Sequence, residues 1–126
     1  MVSVDTNVLI RLMAEDDAAQ LSAAKDFIRQ PAWISHLVLM ETIWVLSTAY
    51  KRSNSELVKA VEILLSHINL SIQEPDVVGS ALSLFKEKPS LGFSDCMILE
   101  IARKAGHLPL GTFDRGLAKI DGAEQI

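Results

Sequence analysis

Four carboxylates stand out from the residues around them. Asp5 follows the apolar run Val2-Ser3-Val4. Glu41 is the only charged residue between Gln30 and Tyr50. Its segment, Leu37-Val38-Leu39-Met40-Glu41-Thr42-Ile43-Trp44-Val45-Leu46, is apolar nearly all round, which predicts a buried helix. Asp95 lies in the first turn of a predicted helix, in Gly92-Phe93-Ser94-Asp95-Cys96-Met97-Ile98. Asp114 lies just past a predicted strand, in Gly111-Thr112-Phe113-Asp114-Arg115-Gly116. An unpaired buried carboxylate is costly, and Asp5, Glu41 and Asp95 have no basic residue within four positions. A hard divalent cation binds carboxylate oxygens and removes that cost for several acids together. Each acid also has a plainer reading. Asp5 could be a strand-end turn former, Asp95 a helix N-terminal acid favoured by the macrodipole, and Asp114 an Asx-turn residue. Glu41 is the hardest to explain that way.

Lesser candidates surround them. Asn7 and Thr112 could each orient a ligand or a metal-bound water, or simply close a turn. Ser94 reads as a helix N-cap, with a supporting role beside Asp95 as the alternative. His36, His67 and His107 fall on different elements and read as surface or turn residues, and Cys96 as a small core residue. Lys51-Arg52 and Arg103-Lys104 read as solvated helix ends, with contact to phosphates as the alternative.

The elements that must hold these residues follow from periodicity and capping. Val2-Ser3-Val4 predicts a buried strand that runs into a turn and a first helical turn. Asp16 or Asp17 caps a helix with Leu21, Ala24, Phe27 and Ile28 at helical spacing, stopped by Pro31. Residues 32–35 form a short strand, and Ser35 caps a helix through Tyr50. Ser53-Asn54-Ser55-Glu56 is a capping box opening a helix with Leu57, Val58, Val61, Leu64, Leu65 and Ile68 on one stripe. Leu70-Ser71-Ile72 is a strand. Pro75-Asp76 starts a helix that turns Val77, Val78, Ala81, Leu82 and Phe85 inward. Ser94-Asp95 opens another, with Met97, Ile98, Ile101 and Ala102 buried and Gly106 ending it. Residues 108–112 are a strand, and residues 123–126 could add an edge strand. This alternation predicts a three-layer α/β/α sandwich around a central parallel sheet of about five strands. Sites in such sheets form outside the carboxyl ends of the strands.

The chain has 126 residues, which fits one domain over residues 1–126. With 49% hydrophobic and 22% charged residues it is neither disordered nor collagen-like. Twelve Lys and Arg against 16 Asp and Glu leave a net charge of −4, which argues against a generally basic nucleic-acid module. A single cysteine excludes an internal disulfide and a Cys/His zinc cluster, and suggests a reduced, cytoplasmic setting. No signal peptide is visible. Charge-free stretches stop at 11 residues, short of the roughly 20 a membrane span needs.

Taken together, Val4-Asp5-Thr6-Asn7-Val8-Leu9-Ile10, the isolated Glu41, Phe93-Ser94-Asp95 and Thr112-Phe113-Asp114-Arg115-Gly116-Leu117 resemble the PIN-domain nucleases, and among them the VapC-like toxins of toxin–antitoxin pairs. The resemblance covers essentially the whole chain. It implies metal-dependent endonucleolytic cleavage of RNA, with Mg²⁺ or Mn²⁺ held by Asp5, Glu41, Asp95 and Asp114, and with Asn7, Thr112 and Ser94 beside them. It also implies a homodimer, for which the helices at residues 55–68 and 76–85 are the candidate faces. A small cognate antitoxin would inhibit the site, and DNA would be bound only through that antitoxin. With those four acids set aside, the 12 basic residues face 12 remaining acids. A rim drawn from Arg11, Lys51, Arg52 and Arg115 would then meet RNA phosphates.

Other architectures fit poorly. No Gly-x-Gly-x-x-Gly turn or P-loop follows any predicted strand. A phosphoacceptor Asp near the middle of the chain, which a receiver domain needs, is missing. The alternatives that stay open are a stand-alone RNA-processing nuclease, a non-catalytic PIN-like module that binds RNA or protein, and a hydrolase of small phosphoesters.

Overall fold

In the first part of the chain three short apolar runs form a parallel ladder. Strand β1 (Val2–Ser3) pairs with β2 (Ala32–Ile34), and β2 with β3 (Leu70–Ile72). Side chains alternate across such strands. Ala32, Ile34, Leu70 and Ile72 point into the core while Trp33 and Ser71 face outward. Parallel neighbours require crossover connections. Helices α1 (Thr6–Ala14) and α2 (Ala18–Phe27) lie between β1 and β2, and α3 (His36–Thr48) and α4 (Asn54–Ser66) between β2 and β3. Side chains start all four. Asp5, Asp17 and Ser35 accept from Val8, Gln20 and Val38 backbone N–H groups, and Ser53 with Glu56 closes the expected capping box.

The computed structural model describes all residues, Met1–Ile126, and they fall into two compact units, Met1–Pro75 and Asp76–Ile126. The second unit follows α5 (Pro75–Glu87) with a 3₁₀ turn (Pro89–Leu91), α6 (Phe93–Ala105), β4 (Leu110–Thr112), α7 (Arg115–Ala118) and β5 (Ala123–Gln125). β4 and β5 pair in parallel. Val77, Val78, Ala81, Leu82 and Phe85 of α5 are buried as expected. The Phe85 and Phe93 rings meet edge-on at 5.9 Å, a preferred aromatic geometry. No helix is long and apolar enough to cross a membrane.

The fold is the α/β class expected, with every strand pair parallel. Its five strands pair as ladders of three and two, where one sheet of about five was expected. Each strand is only two or three residues long, so few hydrogen bonds define each ladder. Three local readings need correction. First, α3 is not buried all round: Leu37 is 77% exposed and Trp44 62%, and only Leu39, Thr42, Ile43 and Leu46 are buried. Second, α6 starts after Gly92 rather than at Ser94. Gly92 holds φ at +80°, a region that glycine enters without strain. The inward face of α6 is accordingly Phe93, Cys96, Met97 and Leu99, and Ile98 and Ile101 face out. Third, Ile68 is 94% exposed, because α4 ends at Ser66 before its stripe reaches that position. The 3₁₀ turn and α7 are additional to the elements that periodicity and capping predict.

Candidate active site

In the first unit the site is built on the first turn of α1. The chain leaves β1, buries Val4, and enters α1 with Asp5 as N-cap. Asp5 Oδ1 accepts from the Val8 backbone N–H at 3.1 Å. The next residue, Thr6, is only 8% exposed. Its hydroxyl donates to Glu41 Oε1 on α3, so Glu41 lies against the turn that Asp5 caps. Both carboxylates are exposed. This corrects the expectation that Glu41 is buried: what holds it is a hydrogen bond, and no burial penalty is being offset. Both acids also lie at the positive end of the α1 dipole. Asn7 is exposed beside them, on a groove of about 350 Å³ whose walls include Asp5, Val8, Arg11, Gln20 and Phe27.

The second unit brings the other two acids together. Asp95 sits half-buried in the first turn of α6. Burial, and then the charge of Asp114, push its pKa above the ordinary 3.8, because both oppose ionisation. Within its unit no cation or hydrogen-bond donor faces it. Asp114 is the N-cap of α7, and its Oδ1 accepts from the Leu117 N–H at 2.8 Å. The Asp114 N–H donates to Thr112 Oγ1 at 3.0 Å, so Thr112 closes the turn that presents this acid. A Cβ at Gly116 would stand 3.2 Å from Asp114 Oδ1, which favours glycine there. Ser94 is exposed and makes no capping bond. The neighbouring Cys96 is buried and its thiol is pushed up to about 11, chiefly by burial, so it is an unreactive core residue.

A raised folded-state pKa means that ionised Asp95 costs stability. The cost is absent below the unfolded value of 3.8 and complete once pH has passed the higher folded value. Metal-free Asp95→Asn is therefore expected to melt above the unaltered chain at pH 7. The two should converge as pH falls below the carboxylate range, and thermal melts across pH check this. Equal melting temperatures at neutral pH would remove the cost assigned to burying Asp95 beside Asp114.

The basic residues divide. Arg11 pairs with Asp16 at 2.7 Å, and the Tyr50 hydroxyl donates to Asp16 at 2.9 Å. Arg11 is thus committed to a network joining α1, the α1–α2 turn and the end of α3. Arg52 reaches Glu56 at 3.5 Å. Arg103 donates to the Asp121 carbonyl at 2.6 Å, and Lys104 pairs with Asp76 at 2.5 Å. Lys51 and Arg115 are exposed and have no acid partner. Of the histidines, His67 Nδ1 accepts from the Asn69 N–H at 3.0 Å, and His36 keeps a buried Nε2 without a partner.

Within either unit taken by itself, no group of three or more His, Cys, Asp or Glu side chains could hold a metal ion. The acids occur as two pairs, Asp5 with Glu41 and Asp95 with Asp114. Their donor chemistry fits a hard divalent cation, being all carboxylate oxygen. The burial of Asp95 and the neighbouring charge of Asp114 both oppose its ionisation in a way that a cation offsets. Thr6 joins the site with no sequence signal beyond a hydroxyl lodged in Asp5-Thr6-Asn7. When the chain is compared with known families, the model described as PIN domain matches residues 2–123. No curated protein and no solved structure matches it.

Proposed function

The chain belongs to the PIN-domain family, and from that premise we propose that it is a metal-dependent endoribonuclease, the toxin of a toxin–antitoxin pair. PIN domains are generally nucleases acting on RNA, and they typically use divalent metal ions. The match runs through both units, which supports reading residues 1–126 as one nuclease domain. The observation that carries the proposal is the anchoring of Asp5 and Glu41 on one helical turn.

In this reading Asp5, Glu41, Asp95 and Asp114 hold Mg²⁺ or Mn²⁺. The bound ion supplies positive charge to the phosphate oxygens and makes a water more acidic. Asp5 and Glu41 each have one oxygen tied to α1 and one left open. Thr112 sets the turn of Asp114. Asn7 offers an amide to the phosphate or a water, and Ser94 a hydroxyl beside Asp95. Lys51 and Arg115, with Arg52 at the cost of its Glu56 pairing, meet RNA phosphates. Arg11 is better placed to stiffen α1. The direct test is incubation of the purified chain with mixed single-stranded RNAs. Internal cuts support the proposal, binding without cutting favours the non-catalytic module, and turnover of a model phosphodiester alone favours the phosphoesterase.

Two partners belong to the proposal. An antitoxin would insert an arginine, whose planar fork pairs carboxylates, among the acids, and would bring its own DNA-binding part. A second copy of the chain would form a homodimer. Ile63 on α4 and Ile68 just beyond its end are exposed and support that helix as a face, whereas the apolar stripe of α5 is already buried. Light scattering at high micromolar concentration should give twice 13.8 kDa. A monomer there would remove the dimer from the account.

A further inference from the structure

We infer that Thr6 is a positioning residue for Glu41, fixing one carboxylate oxygen so that the other is presented to the metal and its water. The inference rests on the reading of Glu41 as an acid of the nuclease site. Thr6 is the first residue of α1, and its side chain is buried while its hydroxyl donates to Glu41 Oε1 across the α1–α3 contact. A buried hydroxyl needs a partner, and an ionised carboxylate is a strong one. Glu41 itself is exposed on α3. Left alone, a long exposed side chain keeps its rotamer freedom, and that freedom is lost each time it must bind. The bond from Thr6 removes it beforehand. Asp5 is treated the same way, with Oδ1 held by the Val8 N–H. One helical turn therefore aims two single carboxylate oxygens, one through a backbone donor and one through the Thr6 hydroxyl.

The competing role is a plain structural tie between α1 and α3. Thr6→Val keeps the branched shape and removes the donor, and Thr6→Ser keeps the donor. Mn²⁺ binding without RNA, read by calorimetry, and the Mg²⁺ dependence of RNA cleavage are measured on both. Thr6→Val should weaken Mn²⁺ binding and lower cleavage by about 10–100-fold, the usual range for a group that orients a metal ligand. It should also raise the Mg²⁺ needed for half-maximal rate, and Thr6→Ser should restore all three. In a Glu41→Gln background Thr6→Val should cost nothing further. The inference is overturned if Thr6→Val matches the unaltered chain, if Thr6→Ser is as poor as Thr6→Val, or if the losses from Thr6→Val and Glu41→Gln add in full. If Thr6→Val does not fold, Thr6→Ala against Thr6→Ser makes the same comparison. If the unaltered chain cuts no RNA, the nuclease reading fails, and the Mn²⁺ comparison still decides the role of Thr6.

Discussion

Asp5→Asn is expected to lower RNA cleavage by about 10²–10⁴-fold, the range for removing a group that acts in the transition state, with the fold intact. Asp5 has two tasks that this substitution separates. One oxygen caps α1 through Val8, and asparagine caps a helix about as well as aspartate. The other oxygen is the proposed ligand, and there the lost charge cannot be replaced. Asp5→Ala removes cap and ligand together and should in addition lose about 1 kcal/mol of stability. Cleavage rates and urea denaturation of the two variants, side by side, check the division. An Asp5→Asn chain with near-normal activity at low Mg²⁺ would overturn the ligand assignment.

The second large effect concerns the cell that makes the protein. Induced expression of this chain alone should arrest growth, because internal cuts in RNA accumulate faster than they are repaired. Co-expression of the proposed antitoxin should restore growth. Glu41→Gln should be harmless from the outset, since it keeps the shape of a side chain on an exposed helix face and removes its charge. The two proteins should co-purify, and an arginine substituted in the partner should weaken the complex if it reaches the carboxylates. Normal growth and no co-purifying partner would leave a stand-alone RNA-processing nuclease as the better reading.

Much of this was legible in the sequence because caps and turns are local. Ser35, Ser53-Glu56, Pro75 and Gly106 start or end helices where expected, since each acts on backbone within a few residues of itself. The apolar stripe of α5 was equally plain. What escaped depends on tertiary partners. An apolar segment such as 37–46 does not reveal which of its faces meets the core, so the expectation of a buried Glu41 fails and the residue lies outside. Nothing local links Thr6 to Glu41, 35 residues apart, or Arg11 and Asp16 to Tyr50. Ser94 failed as a cap because Gly92, two residues earlier, takes up a backbone conformation in which the helix can already begin. Residue type and context single out the four acids as candidates, and the hydrogen bonds that hold two of them on one turn leave no local signal.

Chelation tests the central claim most directly. Purified chain is mixed with single-stranded RNA, treated with EDTA, and then given Mg²⁺ or Mn²⁺ in excess, with Asp5→Asn, Glu41→Gln, Asp95→Asn and Asp114→Asn assayed in parallel. The account predicts that internal cleavage stops with EDTA and returns with the ion, and that all four variants stay slow at every metal concentration. Cleavage that persists in EDTA, or that survives in all four variants, would contradict it.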